Sequence, residues 1–169
     1  MPIFDAPIPS QVDWRGQKYQ IDAAKRAGAK KVVLVGSMGG TQEENFLNTI
    51  GPEGERDILV WKRKAEIYLT ESGLDYSIIH PGGLSNDAGG EREIVFGVND
   101  ELLETTYRRI PRADVAEVAV QCLTSPEASN IAFDISTKEV GEGTVTTSIG
   151  PALQKMEGVY DYTINAPKV

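Results

Sequence analysis

Two short segments carry residues whose types and order suit a ligand better than a core. The first, Val35-Gly36-Ser37-Met38-Gly39-Gly40, brings a hydroxyl and several backbone amides into a glycine-rich loop after an apolar run. A hydrolase nucleophile elbow needs glycine two positions before its serine, where Val35 stands. A Walker-type phosphate cradle needs Gly-Lys-Ser/Thr, which does not follow. Two readings of Ser37 remain: a hydroxyl that hydrogen-bonds a ligand at a rim, or a simple strand-to-loop turn. The second segment is His80-Pro81-Gly82-Gly83-Leu84. Proline followed by two glycines lets backbone approach a flat ligand with no Cβ in the way, or simply makes a turn. His80 has the chemistry of a general base, but spacing fixes no acid beside it, and a single strand-end histidine more often serves structure. Lys64 borders the buried face of a helix between Trp61 and Tyr68. It either snorkels to water or holds its charge near a ligand's sugar hydroxyl.

Composition removes several classes of function. With 17 basic and 25 acidic residues the formal charge is -8, unfavourable for contact with nucleic acid, and no stretch interleaves basic and aromatic residues. No run approaches the ~20 apolar residues of a membrane span. One cysteine, Cys122, and one histidine, His80, exclude a disulfide framework and a multi-histidine or cysteine-based metal centre. The start shows neither a basic-then-apolar leader nor a Ser/Arg-rich, acid-poor transit segment, so a cytoplasmic or stromal protein is expected.

The elements that would position these segments alternate. Three prolines (Pro2, Pro7, Pro9) suit an extended lead-in over residues 1–12. A helix is expected from Asp13 to Ala27, with Lys25 and Arg26 in its last turn and Gly28 after it. Lys31–Gly36 is a continuous apolar run, expected as a strand buried on both faces. After a polar stretch with breakers at Gly51-Pro52 and Gly54, a helix over Asp57–Glu71 has Ile58, Trp61, Ala65, Tyr68 and Leu69 on one face. Asp75–His80 is the next strand, and Glu93–Gly97 a small one. From Ala113, the positions Val115, Val118, Ala119, Cys122 and Leu123 repeat at helical spacing, and Ile131–Ile135 is a further core strand. The glycine- and threonine-rich remainder holds a short helix near Pro151–Glu157. This alternation specifies parallel strands with helical crossovers, an α/β fold whose ligands bind off the C-terminal strand ends.

These segments together resemble the atypical short-chain dehydrogenase/reductases, specifically the NAD(P)H-binding group of plants and algae near the NmrA-like and Tic62-like members. The resemblance rests on Val12-Asp-Trp-Arg-Gly-Gln-Lys18, Ile21-Asp-Ala-Ala-Lys25, Val35–Gly40, Leu59-Val-Trp-Lys-Arg-Lys-Ala-Glu66, Ser72-Gly73, Pro81-Gly-Gly-Leu84 and Pro111-Arg-Ala-Asp-Val-Ala-Glu117. It runs from about Val12 to Ile135 and implies a Rossmann-type doubly wound parallel sheet binding NADP or NAD. It places Ser37 and Met38 at the nicotinamide end of the pocket and Lys64 on the family's active-site lysine, which bonds the nicotinamide ribose. Pro81, Gly82, Gly83 and Leu84 would line the carboxamide, and Pro111–Asp114 would be architectural. Active members keep tyrosine four residues before that lysine, where Val60 stands, and valine cannot supply the proton.

The family's opening strand, Gly-x-x-Gly-x-x-Gly turn and pyrophosphate-holding helix have no counterpart before Val12. The expected layout is therefore the lead-in, the C-terminal part of an NAD(P)-binding domain over 13–136 with its N-terminal strands missing, and a tail over 137–169. Its function is expected to be dinucleotide binding for redox regulation, with an NADPH-dependent oxidoreductase or isomerase, or a truncated interaction subunit, as alternatives. In the oxidoreductase or isomerase case Ser37 would act together with another donor such as His80, with Lys64 as a further candidate. An unpaired apolar edge at Lys31–Gly36 would favour self-association or a protein partner, and weak dinucleotide affinity.

Overall fold

The computed structural model describes residues 8–51 and 56–166; the expected lead-in through residue 7 and the breakers Pro52 and Gly54 lie outside them. The first helix begins earlier than Asp13. Pro9, at φ -54, leads into a wide π-type turn over Ser10–Gly16, which continues as α1, Gln17–Arg26. Proline's fixed φ is already helical, so it starts a helix where three prolines together had suggested an extended chain. Gly28, at φ +69, ends it, with Ala29 N–H reaching back to the Ala24 carbonyl at 3.0 Å.

Strand β1 (Lys31–Val35) follows, then α2 (Ile58–Thr70), β2 (Asp75–Pro81) and the three-residue β3 (Gly83–Ser85). After these come β4 (Ile94–Gly97), β5 (Arg109–Pro111), α3 (Arg112–Cys122), β6 (Ile131–Thr137) and α4 (Gly150–Lys155). The main sheet runs β1-β2-β6-β4, with the first three strands parallel and β4 antiparallel to β6. β3 and β5 form a separate parallel pair. Neither was expected, because a three-residue strand containing Gly or Pro has no periodicity to show.

Helices cover both faces. Ile21 of α1 and Leu69 of α2 pack with Leu34, Ile78 and Ala132 on one side. Val118 and Cys122 of α3 pack with Ile79, Phe133 and Ile135 on the other. Ile78 and Ile79, like Ala132 and Phe133, thus serve opposite faces, which is why the inner strands read as continuous apolar runs. β1 departs from that reading. It is an edge strand among the described residues, so Leu34 is buried but Val35 is 45% exposed. The face of α2 is also rotated from expectation: Leu59, Arg63, Ala65, Glu66 and Leu69 are buried, while Ile58, Trp61 and Tyr68 sit at the margin. Leu123, the last apolar position expected on α3, is exposed. The stretch after residue 136 contributes Ile149, Leu153 and Tyr160 to the core. No helix among the described residues is long and apolar enough to cross a membrane.

Candidate functional site

Parallel pairing of β1 with β2, Val35 opposite Ile79, brings both glycine segments out side by side. Gly36 N–H bonds the Ile79 carbonyl at 2.8 Å and Met38 N–H the Pro81 carbonyl at 3.1 Å, tying one loop to the other. Beyond them lies a cleft of about 730 Å³ whose walls include Ser37, Met38, Pro81, Gly82, Gly83 and Leu84. All six are residues that sequence singled out. Met38 is buried beneath the cleft, and Leu84 is exposed at its side. Ser37 Oγ donates to the Met38 carbonyl at 3.0 Å, which leaves its oxygen free to accept from a ligand.

Gly82 is needed by the protein itself. A Cβ there would stand 2.5 Å from the Arg108 carbonyl oxygen and 2.8 Å from Met38 Cε. Gly83 N–H also bonds that carbonyl, at 2.8 Å, so the double glycine lets two backbone segments meet at the cleft wall. Sequence reasoning missed the wall that Asn45, Phe46, Leu103, Arg108 and Arg112 contribute. Arg112, at the start of α3, belongs to the Pro111–Asp114 segment expected to be architectural and also reaches the cleft; the other four carry no motif of their own.

The structure does not bring Lys64 to this cleft. Its side chain lines a separate pocket with Val60, Trp61 and Asn48, and its Nζ lies 5.0 Å from the Trp14 ring and 5.7 Å from that of Trp61. At ~100° per residue, position 64 is turned away from the face that carries Arg63, and two indoles hold its charge instead. Arg63 is the inward cation, 2% exposed and packed against Gly40.

Behind the cleft runs a buried polar network. His80 is fully buried, with Nε2 3.1 Å from Glu66 Oε2 and Nδ1 3.2 Å from Asp134 Oδ1. Burial alone would push the imidazole down, but the Glu66 charge and the hydrogen bonds that both carboxylates accept from the ring outweigh it and hold it up at about 9. Burial pushes the Asp134 carboxyl up. The second oxygen of Asp134 accepts from Asp100 N–H at 2.7 Å. Asp100 is itself buried, at φ +65. It accepts from Gly39 N–H at 2.7 Å, Thr41 N–H at 2.7 Å and the Thr41 hydroxyl at 2.6 Å. The Tyr160 ring stacks 4.3 Å from His80, and its hydroxyl accepts from Arg63 Nη1 at 2.9 Å. His80 is therefore an imidazolium strut that supports the Gly39–Thr41 loop through two aspartates. With both nitrogens held by buried carboxylates it has no atom to offer the cleft, and the general-base reading fails. The available signal was Glu66 and Asp134 themselves, acids interrupting otherwise buried spacing.

Residues 6–126 match a family model described as NAD(P)H-binding. The chain is 58% identical over 142 residues to an uncharacterised chloroplastic protein of Arabidopsis thaliana, covering 84% of this chain and 43% of that one. It is 52% identical over 149 residues to sanguinarine reductase of Eschscholzia californica, covering 86% and 54%. Thus the chain spans about half the length of the curated relatives it matches. Among solved structures, an oxidoreductase of Lactococcus lactis superposes with a TM-score of 0.61 at 25% identity, over 86% of this chain and 60% of that one.

Proposed function

The chain belongs to the NAD(P)H-binding family, and on that premise we propose that it forms the nicotinamide end of an atypical short-chain dehydrogenase-like module, serving cofactor binding and redox regulation. The observation that carries this is the meeting of Ser37, Met38 and Pro81–Leu84 in one cleft off the strand ends. These residues fit the group. A hydroxyl with a free lone pair suits the carboxamide, and Met38, Pro81 and Leu84 supply apolar surface for its ring. When bound, the dinucleotide would supply hydride chemistry. Ser37 and the backbone at Gly82 and Gly83 would orient it. Val60, in place of the family's proton-donating tyrosine, favours holding the cofactor over turning it over, with NADP and NAD both admissible. Lys64 enters this reading only if Trp14 and Trp61 release it.

The second reading, an NADPH-dependent oxidoreductase, draws on the relative named sanguinarine reductase. It would rely on Ser37, since His80 is spent in the core. The edge of β1, unpaired among the described residues and with Val35 exposed, would be the place for self-association or a protein partner. A chloroplast stromal location is proposed from the relative named chloroplastic.

Titration with NADPH and NADH, followed by tryptophan fluorescence, tests the reading. Saturable binding is expected, weakened by about tenfold in Ser37→Ala, the worth of one ligand hydrogen bond, and little changed in Lys64→Ala. No saturable response to either dinucleotide, or an unchanged affinity in Ser37→Ala, counts against it. Steady NADPH consumption with a carbonyl substrate that Ser37→Ala abolishes would favour the oxidoreductase.

A further inference from the structure

The mouth of the Ser37 cleft joins apolar surface to an excess of positive charge. Phe46 is 69% exposed and Leu84 42% exposed on its walls, with Met38 and Leu103 beside them. Large apolar side chains gathered on one concave surface mark a binding site rather than ordinary exterior. Two guanidinium groups share that surface. Arg108 uses Nε on the Thr105 carbonyl at 2.8 Å, and Arg112, the first residue of α3, gives Nη1 to Asn86 Oδ1 at 2.8 Å. Neither is in an ion pair among the described residues, although the chain carries a formal charge of -8. Glu104 also lines the cleft, so two cations face one acid there.

Resting on the reading of this cleft as the nicotinamide end, we propose that its second ligand is a flat apolar molecule bearing a carboxylate. The rings would lie against Phe46 and Leu103, and Arg108 and Arg112 would grip the anionic end. A guanidinium presents a planar fork that matches a carboxylate's two oxygens, and it keeps its charge at every working pH. At about 730 Å³ the cleft is of the size that takes a small molecule. Phosphate of the dinucleotide is the other anion these arginines could meet, and the experiment separates the two.

The probes are 2-naphthoate and its neutral isostere 2-naphthamide, titrated calorimetrically into the whole chain. Naphthoate is expected to bind about tenfold more tightly, as charge-assisted hydrogen bonding implies, and to weaken with added salt. Arg108→Gln/Arg112→Gln should abolish that preference. Both side chains are exposed, so the fold tolerates the change, and an unaltered circular-dichroism melt verifies it. Phe46→Ser should weaken both probes alike. Equal binding of the two probes, or a preference that survives the double substitution, overturns the proposal. So does a double variant that loses NADPH affinity while keeping naphthoate, which assigns the arginines to cofactor phosphate. Arginine-dependent naphthoate binding in a protein that takes neither dinucleotide upholds the carboxylate site and refutes the cofactor reading instead.

Discussion

Raising the pH through 9 is expected to loosen this fold through His80. The ring is wholly buried, 3.1 Å from Glu66 and 3.2 Å from Asp134, with Tyr160 stacked on it, and the two carboxylates hold its pKa up at about 9. In an unfolded chain the group returns to about 6.5. The folded state therefore binds the proton more tightly. The stabilisation is fully present below pH 6.5, shrinks between 6.5 and 9, and is gone above. That interval, at ~1.4 kcal/mol per tenfold, corresponds to about 3 kcal/mol, a large share of the ~5–15 kcal/mol that holds a domain together. Urea unfolding followed through Trp14 and Trp61 fluorescence, from pH 6 to 10, measures it. Groups other than His80 also change charge toward alkaline pH, so the readout is the difference between the native chain and His80→Gln. That variant leaves two buried carboxylates without their cation. It should lose about 3–5 kcal/mol at pH 6, and much less relative to the native chain at pH 10. Glu66→Gln, which removes the largest of the influences raising the pKa, should move the alkaline loss to lower pH. A stability difference between native and His80→Gln that is the same at pH 6 and pH 10 would refute the reasoning.

Gly82→Val should collapse the cleft, because its Cβ would stand 2.5 Å from the backbone oxygen of Arg108, which cannot swing aside as a side chain does. The expected readouts are a lower melting temperature and loss of dinucleotide binding, while Gly90→Ala, where a Cβ meets nothing within 4 Å despite φ +74, should cost only local backbone strain. Asp100→Ala strips the acceptor from Gly39 N–H, Thr41 N–H and the Thr41 hydroxyl, a loss of about 2 kcal/mol or more for charge-assisted bonds. Hydrogen exchange at the Gly39 and Thr41 amides should speed up in that variant, and unchanged protection would show that Asp100 does not hold the loop.

The parallel sheet was legible in the sequence because it follows from local pattern, and the family through the resemblance of its motifs. Apolar stretches within Lys31–Gly36, Asp75–His80 and Ile131–Ile135 marked the three parallel strands, although β1 stands at the sheet edge among the described residues and is covered less than the other two. Once three such strands run parallel, their C-terminal ends must emerge together, so Ser37 and Gly82 were bound to be neighbours. Tertiary structure decided what depends on partners distant along the chain. Which of Lys62, Arg63 and Lys64 turns inward is a matter of ~100° per residue. Tyr160 and Ile164, about a hundred residues later, accept hydrogen bonds from Arg63 and settle it. The role of His80 was hidden for the same reason, since its acids lie 14 and 54 residues away and no spacing links them. Local sequence determines where the chain can form helix and strand. The fate of a buried charge is set by whichever opposite charge the fold brings within about 3 Å, because away from water only a partner at that distance offsets its desolvation.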